Sequence, residues 1–244
     1  MYSRRVPLRG IYFVTDPAMT LASREKKAQS ISTDRLWHTQ AIDTTVETIE
    51  QALRAGVTTV QLRWKQVDSG YFLDLAKAAS EVTQGRAQLI INDRVDVFLA
   101  ARESGCAVDG VHIGQTDIHP TLVRALIGDD AQLGWSVSLP RDVDEALELT
   151  EVIDSAGVGA LRETSTKTDA PPSLGLEGIA RIAQRLPLPV TAIGGIGVDD
   201  VAPLASRVHN VAVVSAIAAA QDPFRAAAQL VEAFKTGQKT EEQA

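Results

Sequence analysis

Apolar residues in this chain come in short consecutive runs rather than in strict alternation, and stretches with helical spacing separate the runs. Strand character falls on Ile11–Thr15, Thr59–Arg63, Leu89–Asn92, Gly110–Ile113, Leu133–Ser136, Ala156–Leu161, Val190–Ile193 and Val211–Val214. Successive apolar positions suit strands covered on both faces, as in a parallel sheet wrapped by helices. Between the runs, the spacing predicts helices over Ile42–Ala55, Tyr71–Thr83, Val95–Ser104, Pro120–Ile127, Arg141–Val152, Gly178–Leu186, Asp199–Ser206 and Pro223–Phe234. Gly56, Gly85 and Gly128 stand at or near the ends of three of these helices, where a C-cap is expected.

β runs alternating with helices in this way predict one α/β domain, a single (β/α)8 TIM barrel spanning 11–235. A doubly wound open sheet is the alternative, although it normally has fewer strands. Residues 1–10 read as an N-terminal extension and 236–244 as a polar, flexible C-terminal tail. Residues 17–40 break the rhythm with a long connection rich in Ser, Lys, Arg and Gln. A connection of that length holds a short helix or serves as a lid.

Composition narrows the function. The chain of 244 residues carries a formal charge of −7, which argues against a general nucleic-acid surface. Small anionic substrates remain compatible, because a few cations focused in a cleft suffice. The single cysteine, Cys106, excludes an intrachain disulfide and a cysteine-rich metal site. No apolar run approaches the ~18–20 residues that cross a bilayer. Arg4, Arg5 and Arg9 are not followed by an apolar core, so the expectation is a cytoplasmic protein without a secretory signal or membrane partner.

The candidate chemistry sits where the strands stop, and in a (β/α)8 barrel those ends converge on one mouth. Gln61-Leu62-Arg63-Trp64-Lys65 places Gln61, Arg63 and Lys65 on one face of an extended segment, because strand side chains alternate. A guanidinium fork and an ammonium together suit phosphate oxygens. The same segment also reads as a solvated strand end with Trp64 packed on a helix. Asn92-Asp93 and Asp117 close the next two strands and offer two carboxylates, the ligand type Mg2+ shares with substrate phosphates. They equally suit turns or helix N-caps. His112 reads as a hydrogen-bonded core histidine. Ile193-Gly194-Gly195-Ile196-Gly197 and Val214-Ser215 follow the last two strands, where backbone amides commonly receive a phosphate. Thr164-Ser165-Thr166-Lys167 opens a long loop able to close on an anion, and Ser136 is a further donor. No Ser/His/Asp arrangement or acid–base pair is apparent.

With these residues assembled, the chain resembles the thiamine-phosphate synthase family from Ile11 to Ile217. The resemblance is carried by Gln61-Leu62-Arg63-x-Lys65, Ile91-Asn92-Asp93-Arg94, Gly110-Val111-His112-Ile113-Gly114-Gln115-x-Asp117, Gly134-x-Ser136, Thr164-x-Thr166-Lys167 and Ala192-Ile193-Gly194-Gly195-Ile196. It implies a (β/α)8 transferase that joins a pyrimidine pyrophosphate to a thiazole phosphate and releases pyrophosphate. It further implies that Gln61, Leu62, Arg63, Trp64, Lys65, Asn92, Ser136 and Lys167 surround the pyrimidine pyrophosphate. Among these, Arg63, Lys65, Ser136 and Lys167 would carry the catalysis. Asp93 and Asp117 would bind Mg2+, while Thr164, Ser165, Thr166, Gly195, Val214 and Ser215 would surround the thiazole phosphate. The chain departs from the family pattern at Trp64, at Gly159-Ala160 where Gly-Pro is usual, and at Arg162-Glu163. Two other readings compete: a thiazole tautomerase-like relative, which would need a His at position 160, and a noncatalytic barrel that binds thiamine precursors.

Overall fold

The computed structural model describes residues 8–24, 35–162 and 173–241. Eight parallel strands pair in chain order: β1 (Gly10–Val14), β2 (Thr59–Leu62), β3 (Gln88–Asn92), β4 (Gly110–Ile113), β5 (Gln132–Val137), β6 (Ser155–Gly159), β7 (Val190–Ile193) and β8 (Asn210–Val213). The last strand returns to the first through Gly10↔Asn210 and Phe13↔Val213, which closes the barrel and excludes the open sheet. The connections carry helices α1 (Pro17–Arg24), α2 (Arg35–Arg54), α3 (Ser69–Thr83), α4 (Val95–Glu103), α5 (Pro120–Ile127), α6 (Pro140–Glu148), α7 (Gly175–Arg185), α8 (Val198–Ala205) and α9 (Ser215–Ala218). Helix α10 (Pro223–Glu241) follows the barrel.

The largest boundary differences from the sequence expectation are in α2 and α10, while α6 stops at Glu148 rather than Val152, α7 starts at Gly175 rather than Gly178, and β6 stops at Gly159 rather than Leu161. Helix α2 starts at Arg35 rather than Ile42, because Trp37 and Ala41 extend the buried stripe that continues through Thr45, Thr48, Ile49 and Ala52. The 17–40 connection therefore supplies α1 and the first turns of α2, and its residues 25–34 lie outside the described residues. Helix α10 runs to Glu241 rather than Phe234, so the expected tail is helical through 241. Its polar residues include Gln238 and Lys239, which are strong helix formers.

Strand alternation sorts the side chains into two compartments. Ile11, Phe13, Val60, Leu62, Leu89, Ile91, Val111, Ile113, Leu133, Trp135 and Val213 belong to the large buried cluster beneath the helices. Burying each of the larger ones contributes about 1.5–3 kcal/mol relative to leaving it in water. Residues of the opposite parity face the lumen. There Tyr12, Val14, Ile90 and Ala212 form a small apolar cluster, while Thr59, Gln61, Gln132, Thr191 and Asn210 are buried polar residues. The lumen is thus polar, and its upper layer delivers side chains to the mouth.

The opposite rim is pinned by a buried ion pair. Arg124 of α5 donates to Val152 O at 2.9 Å, Gly128 O at 2.8 Å and Ala131 O at 2.7 Å, and reaches Asp154 Oδ2 at 2.5 Å. Asp154 Oδ2 also accepts the Leu133 N–H at 2.7 Å, which ties the starts of β5 and β6 to α5. Removing the carboxylate leaves a guanidinium buried without its counter-charge. Asp154→Ala should lower unfolding stability by about 3–5 kcal/mol, read as a fall in the urea midpoint. A change below about 1 kcal/mol would show that the pair does not hold this rim.

Candidate active site

At the C-terminal ends of β1 and β2 the backbone fixes the first cation. Thr15 N–H donates to Gln61 O at 2.9 Å, and Thr15 Oγ1 accepts the Arg63 N–H at 3.1 Å. Arg63 Nη1 then lies 3.7 Å from Asp16 Oδ2, and Asp16 Oδ1 accepts the Met19 N–H at 3.0 Å in the first turn of α1. Asp16 is therefore both the cap of α1 and the partner of Arg63. Gln61 is buried below the mouth, where its Nε2 donates to the Tyr12 hydroxyl at 2.9 Å. Burial pushes that phenol well above its ordinary range, so it stays protonated.

The side chains of Leu62 and Trp64 have the other parity and belong to the core beneath the helices. The Trp64 ring lies 6.3 Å from Trp37 and 5.9 Å from His38, centroid to centroid, both residues of α2. From these two positions only the backbone is presented to the mouth.

The carboxylates expected from β3 and β4 do meet. Asp93 has φ +60°, a left-handed conformation that Asp and Asn tolerate better than most residues. Its N–H donates to His112 O at 2.8 Å, which carries the β3–β4 pairing beyond Asn92. Asp117 folds back so that its Oδ2 accepts the Gly114 N–H at 2.7 Å. Burial, then the charge of Asp117 and a hydrogen bond with it, push the Asp93 carboxyl from 3.8 up to about 6; Lys65 and Asn92 pull it the other way. These influences bring Lys65, Asn92, Asp93 and Asp117 into one neighbourhood. A hydrogen bond between two carboxyl groups needs a proton on one of them, and a divalent cation can take that proton's place. Among the described residues no cluster of three or more His, Cys, Asp or Glu side chains suits a metal. Two carboxylates nevertheless fit Mg2+, which commonly completes its shell with water and phosphate oxygens.

Ser136 lies beside this pair. A Cβ placed on Gly114 would sit 3.4 Å from Asp117 Oδ2 and 4.0 Å from Ser136 Oγ, so both oxygens flank one glycine. Ser136 Oγ is also 3.1 Å from His112 Nε2, and Gln115 Nε2 donates to Ser136 O at 2.5 Å. His112 is hydrogen-bonded, as its sequence context suggests, but it belongs to the lumen face and touches a site residue. Its ring has room because Gly134 and Gly157 lie beside it; a Cβ at either would come within 2.5 Å and 2.8 Å of imidazole atoms. Its shared parity with Gly110 and Gly114 is the sequence signal that places it there. Arg94, by contrast, turns away to Asp96 and Ser69.

The remaining elements reach the mouth from β6, β7 and β8. Gly194 and Gly195 have φ +101° and +68°, and Gly195 lies so close under Arg162 that a Cβ there would be 2.6 Å from Arg162 Cγ. Val214 is half-buried against the lumen cluster, and Ser215 is exposed at the start of α9, a turn too short to leave a periodic signal. Thr164, Ser165, Thr166 and Lys167 lie outside the described residues. The segment's two ends are joined, since Leu174 N–H donates to Ala160 O at 2.8 Å and Gly175 N–H to Leu161 O at 3.1 Å.

A closed barrel that gathers Arg63, two carboxylates and a glycine turn at the C-terminal ends of its strands has the layout of a (β/α)8 enzyme. Residues 33–217 match the family described as thiamine monophosphate synthase, TMP-TENI. Thiamine-phosphate synthase of Albidiferax ferrireducens is 40% identical over 189 residues, covering 77% of this chain and 83% of that one. The Corynebacterium efficiens enzyme of the same name is 36% identical over 195 residues, covering 80% and 90%. The solved thiamine phosphate pyrophosphorylase of Pyrococcus furiosus superposes with a TM-score of 0.72 at 27% identity, covering 93% of this chain and 96% of that one. The chain belongs to the thiamine-phosphate synthase family, enzymes of thiamine biosynthesis. Among the described residues, no helix is long and apolar enough to cross a membrane.

The carboxylate pair generates a prediction with a definite sign. Because Asp93 is raised from 3.8 to about 6, the folded protein holds a proton that the unfolded chain has lost between those values. The stabilisation is complete at lower pH and disappears as pH rises through the folded value. In metal-free protein at pH 8, Asp93→Asn should therefore raise the melting temperature by roughly 2–4 °C, while at pH 5 the gain should fall to about half. Added Mg2+ should stabilise the wild type and leave the variant unmoved. An equal effect of the substitution at both pH values would refute the pairing.

Proposed function

We propose that the protein condenses 4-amino-2-methyl-5-(diphosphooxymethyl)pyrimidine with 4-methyl-5-(2-phosphooxyethyl)thiazole, giving thiamine phosphate and pyrophosphate. The observation that carries this reading is the meeting of Asp93 and Asp117 beside Lys65, at the barrel end that also holds Arg63 and Ser136. Asp93 and Asp117 would hold Mg2+, which would supply charge neutralisation for the departing pyrophosphate. Arg63, Lys65 and Lys167 bind the same oxygens, and their positive charge favours the pair of electrons that leaves with the pyrophosphate. Gln61, Asn92 and Ser136 hold the pyrimidine, with the backbone of Leu62 and Trp64 shaping that wall. Thr164, Ser165, Thr166, Gly195, Val214 and Ser215 orient the thiazole phosphate.

The bond from the pyrimidinylmethyl carbon to the diphosphate oxygen breaks, and the thiazole nitrogen lone pair forms the new C–N bond. No proton moves in that exchange, so the site needs no general base. Placement and charge carry the acceleration. Ser136 is held toward this reaction by His112, and Arg63 by Thr15 and Asp16.

Purified protein, both substrates and Mg2+ should yield thiamine phosphate and pyrophosphate in equal amounts, and chelation of the metal should stop the reaction. Asp93→Asn and Arg63→Ala should each lower kcat at least about a hundredfold, and Lys167→Ala should slow turnover in the same assay. Tight binding of both substrates without any product would favour a noncatalytic barrel instead.

A further inference from the structure

Arg162 stands just past β6, at a position where the chain departs from the family pattern. Leu161 N–H donates to Ile193 O at 3.0 Å and Arg162 N–H to Gly194 O at 3.2 Å, so pairing with β7 continues beyond both strands. The guanidinium then folds over the glycine turn. Its Nη1 donates to Gly195 O at 2.7 Å and to Asp200 Oδ2 at 2.6 Å, and its Nη2 donates to Asp200 Oδ1 at 2.7 Å. Asp200 Oδ2 also accepts the Gly197 N–H at 2.8 Å, closing the first turn of α8.

The Arg162 side chain is 54% exposed, and an exposed ion pair adds little stability. Its placement matters more than its strength. Glycine-turn amides followed by a helix N-terminus attract a phosphate, yet the first turn of α8 carries Asp199 and Asp200. Carboxylates there favour the helix and oppose an incoming dianion. The hydrogen bonds from Arg162 also hold Asp200 below the usual carboxylate range, so its charge persists at neutral pH and needs a counter-charge.

The geometry points to Arg162 as a positioning residue for a phosphate monoester: it cancels the Asp200 carboxylate and holds the Gly195 carbonyl, which lets the Gly194–Gly197 turn accept a dianion. This rests on the reading of that turn as the thiazole-phosphate site. A chain with a neutral residue at 162 and Asp200 retained would present the same amides behind an uncompensated negative charge.

Titration calorimetry with 4-methyl-5-(2-phosphooxyethyl)thiazole tests this separately from turnover. Arg162→Gln should weaken its binding, and raise its KM, about tenfold or more. The KM for the pyrimidine diphosphate and kcat should stay within about twofold. Asp200→Asn keeps an oxygen for the Gly197 N–H and should bind the thiazole phosphate about threefold more tightly. The double variant should regain most of the affinity lost in Arg162→Gln. A double variant as weak as Arg162→Gln would overturn charge cancellation, and so would unchanged affinity in Arg162→Gln. Wild type that binds the thiazole phosphate without forming product would end the proposed reaction, while the same titrations still decide the role of Arg162. Wild type that does not bind it would end both.

Discussion

Two carboxylates share a partly desolvated corner of the barrel mouth, where keeping both charged carries a cost that a proton or a cation between them would offset. Asp93 is held in a left-handed backbone conformation, and Asp117 is held by the Gly114 N–H, so neither is simply free to swing into water. Burial, and then the neighbouring Asp117, push the Asp93 carboxyl up to about 6. Such a corner costs stability, and a divalent ion held there, as proposed above, would offset that cost.

The barrel supplies this corner through strand parity. Residues of one parity fill the space under the helices, and those of the other line the lumen, so each strand end offers an inward side chain to the same opening. Asn92, His112 and Ser136 all face inward on β3, β4 and β5; Asn92 pairs with His112, which lies opposite Gly134, two residues before Ser136, and the contact of His112 with Ser136 follows from the glycines beside it. Across the mouth, β6 and β7 bring Arg162 and the glycine turn together. At the opposite rim, Arg124 and Asp154 tie α5 to β5 and β6.

The fold was legible because both periodicities are written along the chain: buried strand runs separated by amphipathic helices. That Gln61 and Arg63 take the parity opposite to the core residues Leu62 and Trp64 was legible for the same reason. Other features were not. Whether Asp93 and Asp117 touch depends on the β3–β4 register and on how the Asp117 turn folds back, neither of which leaves a local pattern. Only the fold shows that Asp16 caps α1 and faces Arg63. Arg162 and Asp200 are far apart in sequence, and no periodic signal joins them. His112 was visible by parity, yet buried surroundings made a structural role the simpler reading.

The most direct test of the carboxylate corner is anomalous diffraction from crystals grown with Mn2+ and pyrophosphate. The account predicts one strong metal peak bonded to both Asp93 and Asp117 and to pyrophosphate oxygens, with Arg63 and Lys65 on the same anion. A metal–pyrophosphate complex bound at this mouth without either carboxylate, or bound elsewhere on the barrel, would contradict it.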